Sequence, residues 1–205
     1  MIRTVKPLFL YRRFYKSLIW EIPVKEKIVF LTFDDGPAPG ITDFVLDTLS
    51  LHKAKATFFC IGQNIDRHPE LFQRIHNEGH GVGNHTYHHL NGWKTSDTMY
   101  LDSAERTRSL VKSKLFRPPY GRIRKSQIEL LLPRYSIVMW NVLSYDYDKN
   151  VSSRTCYNNI VENTQPGSII VMHDSIKAEK NVRTVLPDLL EHFIGKGFRF
   201  EAITL

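Results

Sequence analysis

Ile28-Val29-Phe30-Leu31-Thr32-Phe33-Asp34-Asp35-Gly36-Pro37 is the stretch on which the fold reading turns. Ile28 to Phe33 has the length and the β-branched and aromatic content of a strand buried on both faces, and it ends in two adjacent carboxylates and a Gly-Pro turn. Outward from it, Ala56 to Ile61, Tyr135 to Asn141 and Ser168 to His173 read as strands of the same kind. Thr42 to His52, Pro69 to Glu78, Ser96 to Val111 and Arg124 to Leu132 carry apolar residues at helical spacing, as in Leu71, Phe72 and Ile75. Pro69 suits a first helical turn, and Gly79 suits a helix stop. Alternating strands and helices predict an α/β domain of parallel strands with right-handed helical crossovers, as a closed barrel or an open sheet. Either architecture collects polar functional residues at the carboxyl ends of the strands.

The 205 residues suit one domain, and no repeat, low-complexity tract or Pro/Gly/Ser linker divides them. Lys and Arg number 28 against 21 Asp and Glu, a formal charge of +7. Such a charge bears on association and not on fold, and without a nucleic-acid motif the sequence gives no reason to expect a nucleic-acid partner. Cys60 and Cys156 form neither a disulfide framework nor a zinc-finger spacing. No apolar run approaches the roughly 20 residues of a membrane span, so an integral membrane protein is not expected. Residues 1–26 form a basic and aromatic N-terminal segment with Arg3, Lys6, Arg12, Arg13 and Lys16. Its longest apolar stretch, Leu8 to Leu10, is too short for a signal-peptide core, which points to the cytoplasm, with cell-envelope association as the alternative. Phe9, Tyr11, Phe14, Leu18 and Trp20 outnumber the apolar residues of a solvated arm, so this segment is expected to pack on the domain formed by residues 27–205.

Five segments carry chemistry. Asp34 and Asp35 side by side at a strand end are electrostatically costly unless a cation is bound or one is protonated; alone, the segment reads as a turn. His85 and His89 stand four apart, which on a helical turn places both imidazoles on one side, within reach of one metal ion, with His88 pointing elsewhere. With Asp35 they would make a two-histidine, one-carboxylate set that leaves coordination positions open, as a catalytic metal requires. Arg117-Pro118-Pro119-Tyr120-Gly121 is a stiff stretch whose arginine could clamp a carboxylate. Trp140-Asn141 through Tyr145-Asp146-Tyr147 follows a strand, and Ser168 to Asp174 delivers His173 at a strand end as a candidate proton donor.

In this order and spacing, the Thr32–Pro37, His85–His89, Arg117–Gly121, Trp140–Tyr147 and Ile169–Asp174 segments resemble the motifs of the polysaccharide deacetylases, the NodB-homology group or carbohydrate esterase family 4. The resemblance spans roughly Lys27 to Phe200. It implies a distorted (β/α)7 barrel and metal-dependent removal of N-acetyl groups from an N-acetylglucosamine-containing carbohydrate, of peptidoglycan, chitin or oligosaccharide type. By that resemblance Asp34 is the general base, and Asp35, His85 and His89 hold a divalent metal, zinc first, with cobalt or a similar ion as the alternative. Arg117 orients the base, His173 is the general acid, and Asp146 tunes that histidine. The Tyr120 backbone N–H serves the oxyanion, and Tyr147 and Val171 wall the acetyl methyl group. Departures from the usual pattern fall at Leu143, Tyr147 and Val171, where an acid, a tryptophan and a leucine are common; they touch the pocket wall and not the metal set. The competing readings are a hydrolase of a non-sugar amide on the same fold and a catalytically silent carbohydrate-binding protein. The silent protein would be expected to lack Asp34, a metal ligand or His173, and all are present.

Overall fold

The structure is a computed structural model that describes residues 4–7 and 9–205; the expectations for Arg3, for Leu8 and for the side chain of Phe9 lie outside the described residues. Eight strands, β1 (Ile28–Asp34), β2 (Thr57–Cys60), β3 (Gly81–Asn84), β4 (Leu115–Phe116), β5 (Ser136–Ile137), β6 (Val142–Leu143), β7 (Ile169–His173) and β8 (Arg199–Phe200), form one sheet. Its order is β5-β4-β3-β2-β1-β7-β6, with β8 beside β1, and every pairing is parallel. The seven strands of that path make the distorted (β/α)7 barrel, with helices α1 (Phe9–Phe14), α2 (Ile41–Leu51), α3 (Gly62–Arg67), α4 (Pro69–Asn77), α5 (Asp97–Val111), α6 (Lys125–Leu131), α7 (Ser153–Val161) and α8 (Glu179–Gly195). Among the described residues no helix is long and apolar enough to cross a membrane.

Strand β1 is buried along its whole length, and its two faces do different work. Val29, Leu31 and Phe33 join the layer that packs on α2 and α8 through Val45, Leu46, Val185 and Leu189. Ile28 and Phe30 face the other way, toward Phe59, Leu115, Val138 and Ile169. The period of two continues this second face to Thr32 and Asp34, so the strand carries a hydroxyl and a carboxylate onto the barrel side at its carboxyl end. Register then aligns the neighbouring strand ends: Asp34 stands opposite Phe59 of β2 and His173 of β7, and Asn84 of β3 opposite Phe116 of β4. His85 and Arg117 follow immediately, so the chemistry-bearing residues emerge at one level.

The run Tyr135 to Asn141, read as one strand, is broken because its partner changes along its length. Val138 N–H bonds to Phe116 O (2.8 Å), Met139 N–H to Ile19 O (2.7 Å) and Asn141 N–H to Ile169 O (3.2 Å). The chain thus passes from the β4 side of the sheet to the β7 side and leaves two short strands, β5 and β6. The N-terminal segment lies in the gap between them. Ile19 pairs with Val138 and Glu21 with Ser168, and Ile22 N–H bonds to Gly167 O (2.9 Å). Leu18 and Trp20 are buried against Tyr100, Phe116, Ile128 and Met139, with Tyr11 and Tyr15 at the margin. Phe14, expected to pack, is 80% exposed, because it sits at the outer end of the short α1.

Segment 18–22 is therefore sheet and core, while Phe14 is surface. Trp20→Ala is expected to destabilise the chain by about 3 kcal/mol through lost burial and a cavity, and Phe14→Ala by less than about 0.5 kcal/mol. Urea midpoints of the two variants measure the difference.

Candidate active site

The turn after β1 sets the position of the two carboxylates. Asp34 is the last residue of the strand and is 4% exposed; Asp35 takes a left-handed backbone (φ 81), a conformation that costs a non-glycine residue about 1 kcal/mol or more. The two side chains accordingly diverge. Asp34 Oδ1 accepts a hydrogen bond from Arg117 Nη1 at 2.7 Å, and Asp35 Oδ1 faces His89 Nε2 at 3.0 Å and His85 Nε2 at 3.6 Å.

The helical turn expected for His85 to His89 does not form. Thr86 and His89 are left-handed (φ 59 and 53), Thr86 N–H bonds to Asn84 Oδ1 (2.9 Å), and Leu90 N–H bonds to Thr86 Oγ1 (3.0 Å). Side-chain oxygens thus take backbone donors that a helix would use, and a capped loop replaces it. The loop still brings the two imidazoles together, with centroids 5.1 Å apart, and turns His88 onto Tyr87. His85 Nδ1 lies 2.8 Å from the Arg117 carbonyl, which can only accept, so Nδ1 carries the proton and Nε2 offers its lone pair toward Asp35. Burial, partly opposed by Asp34, holds the His85 pKa down at about 4 and keeps the ring neutral. Burial would raise Asp35, but contact with His89 and the nearby His173 and His85 outweigh it and hold the carboxyl well below the usual carboxylate range.

Asp35, His85 and His89 each offer one ligand atom, and these atoms lie within 4.8 Å of one another. Asp35 Oδ1 is buried and makes no hydrogen bond of proper geometry. A buried carboxylate oxygen without a hydrogen bond, facing two imidazole nitrogens, is the donor arrangement of a cation-binding set. The residues fit a divalent metal.

On one side of this set stands Arg117, fully buried and stacked 4.0 Å from the Phe59 ring. Its Nε donates to Val138 O (3.1 Å), Nη2 to Met139 O (2.9 Å), and Nη1 to both Thr32 Oγ1 (2.6 Å) and Asp34 Oδ1 (2.7 Å). On the other side His173 Nδ1 meets Asp146 Oδ1 at 2.8 Å, while the backbone N–H of His173 donates to Asp146 Oδ2 at 2.7 Å. Burial opposes the charged ring, but Asp146, with Asp35 and Asp34 behind it, overrides burial and raises the His173 pKa to about 9.

A cleft of about 640 Å³ is lined by Asp34, Asp35, His85, His89, Tyr120, Tyr147, Val171 and His173, with Trp140 and Leu143 completing its apolar wall. Arg117 and Asp146 stand behind this surface and reach the cleft through Asp34 and His173. The Tyr120 ring packs 4.5 Å from His89, and Tyr147 packs 4.7 Å from His173. Sequence reasoning passed over Thr32, the second acceptor for Arg117, and Asn64, whose Nδ2 donates to the Asp35 carbonyl at 2.8 Å. The inward period of β1 was a signal for Thr32. Asn64 sits on α3, a six-residue helix that leaves no periodic trace.

Residues 21–132 match the family described as polysaccharide deacetylase. The chain belongs to that family. Among relatives of this polysaccharide deacetylase family member, a peptidoglycan-N-acetylglucosamine deacetylase of Bacillus cereus is 39% identical over 160 residues, covering 75% of this chain and 58% of that protein. A second Bacillus cereus protein of the same name is 35% identical over 192 residues, covering 90% of each. The chain thus spans a little over half the length of the first relative and nearly all of the second. The crystal structure of the Bc1960 peptidoglycan N-acetylglucosamine deacetylase, in complex with 4-naphthalen-1-yl-N-oxidanyl-benzamide, superposes with a TM-score of 0.88 at 34% identity, covering 96% of this chain and 95% of that one.

Removing the arginine strands a buried carboxylate. Arg117→Leu is expected to lower stability by about 3 to 5 kcal/mol. Asp34→Asn with Arg117→Leu should recover part of that loss, and a double-mutant cycle of urea unfolding measures the coupling.

Proposed function

We propose that the chain is a metal-dependent hydrolase that removes N-acetyl groups from an N-acetylglucosamine-containing glycan and releases acetate. The observation that carries this reading is the cleft floor: the Asp35, His85 and His89 donor set flanked by an arginine-held carboxylate, Asp34, and a carboxylate-held imidazole, His173. The names of the two Bacillus cereus relatives support an acetylated cell-wall sugar as the substrate class. The bound compound of the similar crystal structure contains an N-hydroxy amide, a group that chelates metals, which supports the metal assignment.

Amide hydrolysis needs a stronger nucleophile than water and a better leaving group than an amine anion. Two imidazoles and one carboxylate suit zinc, with cobalt as a functional substitute, and leave positions open for water and substrate. When bound, such an ion lowers the pKa of a water to about 7 and polarises the acetyl carbonyl. Asp34 takes the proton of the attacking water. Arg117 fixes the direction of that carboxylate, because every hydrogen bond that orients the guanidinium is made inside the barrel. The Tyr120 backbone N–H is assigned to the oxyanion. Tyr147, Val171, Leu143 and Trp140 form the apolar enclosure for the acetyl methyl group. His173, charged because Asp146 faces its Nδ1, delivers a proton from Nε2 to the departing nitrogen.

The test is acetate release from N-acetylglucosamine oligomers and from peptidoglycan fragments, by chain stripped of metal and then restored with zinc. Release on restoration is expected; none from any acetylated sugar, by folded and zinc-loaded chain, would leave the silent binding protein as the better reading. Asp34→Asn should keep zinc and lose about 10² to 10⁴ in kcat. His89→Ala should lose the zinc itself, so metal analysis separates the two.

The acid must be protonated to work, and its pKa is raised, so activity persists through neutral pH and falls as pH rises past about 9. In Asp146→Asn the burial of His173 is no longer opposed by its main partner, and the alkaline limb of the kcat profile should move toward acid by about 1 to 3 units. An unmoved limb would remove His173 from the acid role.

A further inference from the structure

Asp174 is a fully buried carboxylate that the chemistry above does not use. It does not line the cleft, so it is neither base, acid nor ligand. Its three polar groups all grip the turn that carries Asp35. The Asp174 backbone N–H donates to Asp34 O at 3.2 Å; Oδ1 accepts from the Gly36 N–H at 3.0 Å; Oδ2 accepts from Thr42 Oγ1 at 2.7 Å. Thr42 Oγ1 in turn accepts from the Ala38 N–H at 2.8 Å. The peptide units on both sides of Asp35 are therefore fastened to one residue, and Asp35 is the residue held at φ 81.

The approach leaves no slack. A Cβ on Gly36 would lie 1.9 Å from an Asp174 carboxylate oxygen, so the backbone runs directly against the carboxylate. We propose that Asp174 is a positioning residue that holds Asp35 in the strained conformation from which it meets His85 and His89. Both carboxylate oxygens act as acceptors toward donors fixed by the turn, an arrangement an apolar or amide side chain cannot reproduce in full. Asp174 directly follows His173, so the same strand end places the proton donor and secures the ligand turn.

This inference rests on the metal-site reading, and zinc affinity tests the two separately. Metal-stripped full-length chain and its Asp174→Asn, Thr42→Val and Thr42→Ser variants are titrated with zinc against a chromogenic chelator, with thermal unfolding and the kcat and KM for acetylated oligomers measured alongside. Asp174→Asn is expected to bind zinc about 10- to 100-fold more weakly, in the range found for groups that orient metal ligands. Its KM should stay near the parent value once zinc is saturating. Thr42→Val should show a smaller loss that Thr42→Ser restores. If Asp174→Asn does not fold, the threonine pair decides: weakened zinc binding rescued by serine supports the assignment, and unchanged binding in Thr42→Val overturns it. Folded Asp174→Asn with parental zinc affinity and kcat overturns it as well. A parent chain that binds no zinc overturns the metal reading and this one together.

Discussion

The guanidinium of Arg117, buried with its charge inside the barrel, is the constraint to which the rest of the structure answers. A buried ion pair is expensive in desolvation and survives only when its donors are almost fully used. Four contacts meet that demand: Asp34 and Thr32 from β1, and the carbonyls of Val138 and Met139 from the chain just after β5. These partners come from opposite parts of the sheet path, so satisfying one side chain requires β1, β4 and the β5 edge to close around it. The Phe59 ring beneath the guanidinium supplies a surface that a flat, weakly hydrated cation tolerates. Well-packed apolar side chains in place of both charges could serve stability equally well; what the arginine adds is a carboxylate held in one direction at the cleft floor.

Closing the barrel also separates histidines that are chemically alike. His85 and His173 both lie at strand ends and both are deeply set, yet one pKa is held near 4 and the other near 9. The difference lies in what faces Nδ1. His85 Nδ1 meets the neutral Arg117 carbonyl, and burial dominates. His173 Nδ1 meets the Asp146 carboxylate, and charge dominates. One ring is thereby suited to donate a lone pair and the other to donate a proton, and that difference in chemistry comes from the second residue each touches.

Much of this could be read in the sequence because strand β1 and the short motifs state it locally. The apolar run Ile28 to Phe33, the acids after it and the histidines four apart need no tertiary context to be noticed. The pieces that escaped depend on partners distant in the chain. Tyr135 to Asn141 has the composition of one strand and is divided because Ile19 and Ile169 take over its pairing. Segment 18–22 reads as an extension, since its role in the gap beside β5 exists only once the barrel has formed. Helix α8 contains Pro187, which counts as a breaker in any local reading, but Leu186, Leu189 and Leu190 bury against the sheet and hold the helix through it. The histidine loop shows the converse: the spacing points to shared ligation, and the helix invoked to explain it is absent.

Backbone strain is distributed along the same lines. Seven non-glycine residues among those described have left-handed backbone, and five of them, Asp35, Thr86, His89, Tyr120 and Tyr145, belong to the five motif segments, while Lys53 and Lys112 lie outside them. Each costs on the order of 1 to 3 kcal/mol, and such conformations persist only where surrounding bonds over-determine them. Around Asp35 those bonds come from Asp174 and Asn64; around Thr86 and His89 they come from Asn84 Oδ1 and Thr86 Oγ1. The Asp35 carboxylate and the His89 imidazole, two of the three candidate metal donors, are therefore both presented from conformations the free chain would leave. The arrangement is thus fixed by the fold itself, through hydrogen bonds from Asp174, Asn64, Asn84 and Thr86.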